Sequence, residues 1–258
     1  MKRQRSSLPL GWAFFLLLVL VVAAGLRFWQ LGTWPPGLYR DEAYNGLDAL
    51  GVLDGRHALF FPTNNGREPV YIYLTAVAIA LFGRTALALR LAAAVVGTLT
   101  TLVTYQLAAS WFGRRVGLLA AFLWATTLWP VHLSRVGFRA ILLPPLLALT
   151  FWLGTLAYRR RNRWLWLAAG LVYGLAFYTY LAVRLTPLLL AALAVYLLLR
   201  RPLTAYRSLI TNYTLFILGT AVSLLPFALL IWQQPDILLG RAGQVSILNP
   251  AVNGGDLW

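Results

Sequence analysis

Acidic side chains are scarce in this chain: 7 Asp and Glu stand against 22 Lys and Arg in 258 residues. Five of them, Asp41, Glu42, Asp48, Asp54 and Glu68, fall in one polar stretch, and Asp236 and Asp256 lie near the C-terminus. Cysteine is absent, which excludes disulfides and thiolate metal sites and leaves the redox compartment unread. The two histidines, His57 and His132, are isolated, with no His-x-x-His or His-Glu-x-x-His spacing to support a dedicated zinc site. No Gly-x-Gly-x-x-Gly and no P-loop occurs, which argues against a nucleotide or nucleotide-sugar site of a recognised kind.

What the chain has in abundance is apolar. Hydrophobic residues make up 60% and charged ones 11%, and the mean hydropathy is +0.71. A soluble domain of this length could not hide so much apolar surface, so the composition predicts an all-α polytopic membrane protein. The net charge of +15 sits in short clusters between apolar runs. That is the positive-inside pattern of cytoplasmic loops and not the footprint of a nucleic-acid binder.

Lys2, Arg3 and Arg5 precede the apolar run Leu8–Leu26. The run is longer than a signal-peptide core and lacks a small-x-small cleavage site, so a retained first span with a cytoplasmic N-terminus is expected. Arg27–Asn65 then lies outside, with Trp29, Trp34 and Tyr39 as an interfacial belt and Pro35-Pro36-Gly37 barring helix. From Asp41 to Leu53 the spacing turns helical. Asp41, Asn45 and Asp48 share one face, and Ala43, Tyr44, Leu47 and Leu50 the other. This reads as an amphipathic surface helix, acids to water and apolar side to lipid or bundle. Val52 on the polar face predicts that it is short.

Seven apolar runs follow: Val70–Phe82, Leu87–Ala109, Val116–Trp129, Ala140–Ala157, Trp164–Tyr180, Leu185–Leu199 and Leu209–Trp232. The clusters Arg159–Arg163 and Arg200-Arg201 with Arg207 mark the inside. Arg135–Arg139 and Thr179–Arg184 then fall outside, with the acidic loop. Between Glu68 and Arg135 the number of crossings must be even, yet three runs intervene, so Val70–Phe82 or Val116–Trp129 fails to span. The expected division is a membrane module over residues 1–232, with an outer catalytic loop at 27–69. Residues 233–258 begin a second outer loop that looks cut off.

Several residues in these outer segments have the chemistry of a site. Asp41 and Glu42 suit an N-cap and a first-turn acid, and equally a general base at the membrane boundary. Arg67 fits an interfacial anchor or a phosphate ligand. Glu68 pairs with Arg67 or helps hold a divalent cation, and Pro69 begins a helix. Arg135 and Arg139 are spaced to share one side of a helix, with no acid near them in sequence. Their forks suit a phosphate or a lipid headgroup. Tyr178-Thr179-Tyr180 with Arg184 forms a second aromatic and basic cluster.

Read in order, the chain resembles the membrane glycosyltransferases of the GT-C fold, in particular the family-39 protein mannosyltransferases and lipid A aminoarabinose transferases. The carrying features are the N-terminal helix, Asp41-Glu42-Ala43, Arg67-Glu68-Pro69, Phe82-Gly83-Arg84, Arg90 and the Tyr178-to-Pro187 stretch. The resemblance covers the whole chain but only the N-terminal half of such an enzyme. It implies a GT-C helix bundle in the plasma membrane that transfers a sugar from a polyprenyl-phosphate donor to a protein, lipid or glycan at the outer face. Asp41, with Glu42, would be catalytic. Arg67, Arg135, Arg139, Tyr180 and Arg184 would hold the donor phosphate. No cofactor is required, and Glu68 is the residue left for a divalent cation. Two departures stand out. Glu68-Pro69-Val70 replaces a common Lys-Pro-Pro, so the phosphate-binding lysine has no counterpart. The Arg135/Arg139 pair stands where many members carry a second acid, against a two-carboxylate mechanism. The competing class, a transporter or flippase for a lipid-linked sugar or other anionic lipid, has no need of clustered acids. It commonly shows broken helices or paired repeats, which this sequence lacks.

Overall fold

A computed structural model describes residues 10–200 and 206–235. The basic N-terminal residues, Arg201 and the expected second loop from 236 onward lie outside the described residues. The chain opens with α1 (Leu10–Phe28), crosses an irregular loop to α2 (Arg40–Leu53), and enters α3 (Val70–Phe82). The long α4 (Ala86–Phe112) follows, then α5 (Arg114–Thr126) and α6 (Leu128–Arg135). A 3-10 turn at Arg139–Leu142 leads into α7 (Leu143–Arg160), and α8 (Arg163–Ala176) returns. A second 3-10 turn, Leu181–Leu185, precedes α9 (Thr186–Arg200) and α10 (Tyr206–Gln233). No strand occurs among the described residues, only an isolated bridge between Phe61 and Arg67.

Local sequence sets the ends. Gly83 (φ 75°) and Gly113 (φ 90°) close α3 and α4 with backbone that a side chain would strain. Thr85 caps α4 by accepting from the Ala88 amide at 3.2 Å, and Pro144 and Pro145 sit in the first turn of α7, where no amide partner is lost.

Among the described residues four helices are long and apolar enough to cross a membrane: α1, α4, α7 with its 3-10 lead-in, and α10. The α5–α6 pair, bent by 51° at Thr127, makes a fifth if its two halves form one broken span. Taken as one span, the pair gives with α4 the even number of crossings expected between Glu68 and Arg135. With 13 residues, α3 is roughly 20 Å long against a hydrocarbon core of about 30 Å. Both of its ends meet the start of α4. The Tyr71 hydroxyl donates to the Leu89 carbonyl at 2.9 Å, and Ile79 packs with Ala88 and Leu89. So α3 lies across the start of α4, against α2, while α4 and the bent pair are the runs that reach spanning length.

The amphipathic reading of α2 needs correction. Its inward face is Glu42, Asn45, Gly46, Ala49 and Val52, and Leu47 is exposed. Val52 joins the core with Ile72, Ala76 and Phe61, so the helix continues to Leu53 and does not stop early. Hydropathy assigned Asn45 to water because it cannot register that a buried polar group has a partner from a distant segment. At the other end of the bundle the C-terminal turns of α4 and α7 meet. The Trp111 indole donates to Thr155 at 2.8 Å, and Arg159 donates to the Ser110 carbonyl. Between α8 and α10 the backbones approach so closely that a Cβ at Gly170 would fall on the Phe216 carbonyl. Small residues take the place of a hydrophobic driving force there.

Candidate active site

The site is built at the α2 end from three acid–arginine pairs whose arginines are all buried. In the first, Arg90, on the second turn of α4, is fully buried. Its Nε–H donates to Glu42 Oε1 at 2.7 Å, and its terminal nitrogens donate to the carbonyls of Leu31 (3.1 Å), Pro35 (3.0 Å) and Gly37 (2.6 Å). Glu42 Oε2 accepts from the Tyr39 amide at 2.8 Å, which fixes the entry to α2. Burying two charges is tolerable only when their remaining hydrogen-bonding groups are satisfied, as here. Glu42 is thereby tied into the scaffold.

Arg67 anchors the second pair. The chain folds back so that Phe61 and Arg67 exchange backbone hydrogen bonds of 3.0 and 2.8 Å, closing a turn through Asn64, Asn65 and Gly66, all with positive φ. The Arg67 side chain donates to the Thr63 carbonyl (3.3 Å), Thr63 Oγ1 (2.6 Å) and Asn45 Oδ1 (2.6 Å), and pairs with Asp48. Four of its five N–H groups are therefore engaged. Arg67, expected to hold a phosphate, thus braces this turn and has one N–H left over. Burial lowers its pKa from the ordinary arginine value. The negative charges of Asp48 and Asp41 act against that shift, and Arg139's positive charge adds to it. Asp41 and Arg139 are thus both near enough to act on Arg67 electrostatically.

The turn that Arg67 braces presents Asn64, whose Nδ2 donates to Asp41 Oδ1 at 2.7 Å. Asp41 is half-buried on the first turn of α2. Asp48, Glu42, Glu68 and Asp54 each pair with an arginine, but Asp41 has no ion pair among the described residues. Asn64 is the residue that the sequence reading missed. Its signal was the Asn-Asn-Gly turn, which marks a loop tip but not what the tip touches. Beside it, the fully buried Asn45 keeps Nδ2 without a partner.

The third pair is Glu68 with Arg139, at 3.2 Å and buried. It corrects the view of Arg139 as an arginine without an acid, because Glu68, far off in sequence, lies against it. The Arg139 guanidinium also stacks over the Tyr180 ring at 5.6 Å. Only its Nε–H is hydrogen-bonded among the described residues, which leaves both terminal nitrogens for a ligand. Arg135 and Arg139 do not share one side of a helix: Arg135 ends α6 and Arg139 opens a 3-10 turn. Arg135 donates instead to the carbonyls of Leu26 (2.9 Å), Arg27 (3.5 Å) and Trp34 (3.0 Å). Gly137 (φ 61°) makes the turn between them, where a Cβ would press on Tyr71 Oη, the Leu89 carbonyl and Glu42 Oε1. Arg184 lies half-buried in the second 3-10 turn. Among the described residues no three His, Asp or Glu side chains converge as a metal site. Glu68's charge is committed to Arg139.

This all-helical bundle, with a helix pair lying across one end and its acids gathered there, has the GT-C architecture. It is similar to an archaeal oligosaccharyltransferase, AglB from Archaeoglobus fulgidus in complex with an inhibitory peptide and a dolichol-phosphate. The TM-score is 0.69 at 21% identity, covering 84% of this chain and 29% of that one. It is similar also to the apo form of the Archaeoglobus fulgidus oligosaccharyltransferase (0.71, 21%, covering 94% and 33%). Apo ArnT from Cupriavidus metallidurans matches with a TM-score of 0.63 at 22% identity, covering 88% of this chain and 43% of ArnT. The chain therefore spans less than half the length of each. No curated protein matches it significantly. The chain belongs to the dolichyl-phosphate-mannose-protein mannosyltransferase family, whose model matches residues 66–232.

Proposed function

We propose that this chain is the N-terminal part of a membrane glycosyltransferase that uses a polyprenyl-phosphate-linked sugar, with Asp41 as general base. The observation that carries the reading is that Asp41 alone among the described acids lacks an arginine partner, while Asn64 holds one of its oxygens. Such a carboxylate is oriented yet still able to accept a proton. Asp41 takes the proton of an acceptor hydroxyl as its oxygen bonds to the sugar C1. The C1–O bond to phosphate breaks, and its electron pair leaves on the polyprenyl phosphate, inverting C1. Arg139 and Tyr180 bind that phosphate, whose charge grows in the transition state. Arg184 is a further candidate beside them. Arg67 and Glu42 act at one remove, holding the turn and helix that aim Asp41. The prenyl chain stays in lipid while its phosphate sits at headgroup level, so the reaction belongs at the membrane boundary. The exposed arginines Arg159–Arg161 and Arg163 at the opposite end support an outer location for the site. The acceptor is a hydroxyl of a protein, lipid or glycan, completed by the rest of the enzyme.

The test is Asp41→Asn in the full-length enzyme, with dolichyl-phosphate-mannose as the probe donor. Asn keeps the size and the oxygen facing Asn64, so stability should change by less than about 1 kcal/mol, while turnover falls about 10²–10⁴-fold. Wild-type turnover in the variant would leave Asp41 a helix-start residue and nothing more. Orientation is checked separately in this cysteine-free sequence. Single cysteines at Asn65 and Asn162 should label from opposite sides, and labelling from one side would remove the outer location.

A further inference from the structure

A groove of about 710 Å³ opens between the last turn of α1 and α6, lined by Gly25, Leu26, Trp29, Trp34, His132 and Arg135 among others. Its depth relative to a bilayer follows from α1, whose apolar span ends at Phe28. Gly25 and Leu26 therefore lie at the edge of the hydrocarbon, and the exposed indoles of Trp29 and Trp34 lie at the interfacial level that Trp favours. Arg135 stands at this level. Three of its N–H groups go to the carbonyls of Leu26, Arg27 and Trp34, which fix the guanidinium without neutralising it. No carboxylate pairs with it among the described residues, in contrast to Arg67, Arg90 and Arg139. His132, exposed on the same rim, stacks on Trp129 at 6.0 Å. A fixed cation at the mouth of an apolar groove is complementary to an amphipathic anion.

We propose that this groove binds one anionic phospholipid of the surrounding leaflet, with its phosphate on Arg135 and an acyl chain along Gly25 and Leu26. The site bears on the catalytic end through the loop that it grips. Arg135 holds the Trp34 carbonyl and Arg90, itself paired with Glu42, holds the next one, Pro35, so both arginines grip one stretch of backbone. A phosphate on Arg135 gives it the counter-charge that Arg90 has in Glu42 and steadies the loop that leads into α2 and Asp41. The experiment uses full-length protein in nanodiscs of equal phosphatidylglycerol and phosphatidylcholine, followed by native mass spectrometry of retained lipid. One phosphatidylglycerol should be retained over phosphatidylcholine by about tenfold, and Arg135→Gln should abolish the preference. Because Arg135 also holds backbone, a second variant leaves it untouched. Gly25→Phe adds a ring where nothing lies within 4 Å of the new Cβ, and it should displace the lipid. Equal retention of the two lipids, or retention unchanged in Gly25→Phe, overturns the proposal. Displacement of the phosphatidylglycerol by equimolar undecaprenyl phosphate overturns it too, in favour of a donor site.

Discussion

The two ends of this bundle handle charge in opposite ways. At the α2 end, Arg67, Arg90 and Arg139 are buried, and each meets an acid from a distant part of the chain. At the other end Arg159, Arg160, Arg161 and Arg163 are exposed. A buried charge must be answered by fixed partners, so it dictates geometry, whereas a solvated one dictates little beyond which side of the membrane it prefers. The end proposed as the active site is thus the end where charge has been made structural. Asp41 stands out by being left free of that pairing.

The sharpest way to break this comparison is to unpair one buried arginine and to remove one exposed one. Glu42→Gln leaves Arg90 buried without a counter-charge and should destabilise the fold by about 3–5 kcal/mol. Arg160→Gln should move stability by less than roughly 0.5 kcal/mol. Thermal unfolding in one detergent checks both, and equal effects would erase the distinction between the ends. A smaller effect separates brace from ligand within the α2 end. Arg139→Lys keeps a charge for Glu68 but loses the planar fork, so dolichyl phosphate should bind about tenfold more weakly. Unchanged binding would make Arg139 a brace like Arg67. The smallest effect concerns Asn64. Asn64→Ala removes the donor to Asp41 while Arg67 still holds the turn, and kcat should fall about tenfold or less with the donor KM unchanged. A rise in KM with kcat intact would move Asn64 from aiming Asp41 to binding donor.

Much of the fold was legible because hydropathy and positive charge are read by the membrane one segment at a time. The spans α1, α4, α7 and α10, the helical stretch after Pro35-Pro36-Gly37 and the basic end needed no tertiary information, whereas α8 and α9 are shorter than the spans their apolar runs suggested. The failures fall where a partner comes from far along the chain. Val70–Phe82 and Val116–Trp129 were indistinguishable by length, and they part only in the structure, where the second runs on through a bend into α6 and α3 packs at both ends on α4. Arg139 looked free of acids because Glu68 lies 71 residues away. Glu42 looked like Asp41's equal because adjacent residues on a helix share a sequence context but point in directions about 100° apart.

The sequence by itself determined that this is a helical membrane protein whose acids gather at one loop, because composition and periodicity are local and additive. Tertiary structure alone decided which of those acids is left unpaired. Glu42, Asp48 and Glu68 were answered by Arg90, Arg67 and Arg139 only when α4, the Phe61–Arg67 turn and the α6–α7 turn closed over α2. Pairing at that distance depends on three-dimensional packing, and no pattern along the chain encodes it.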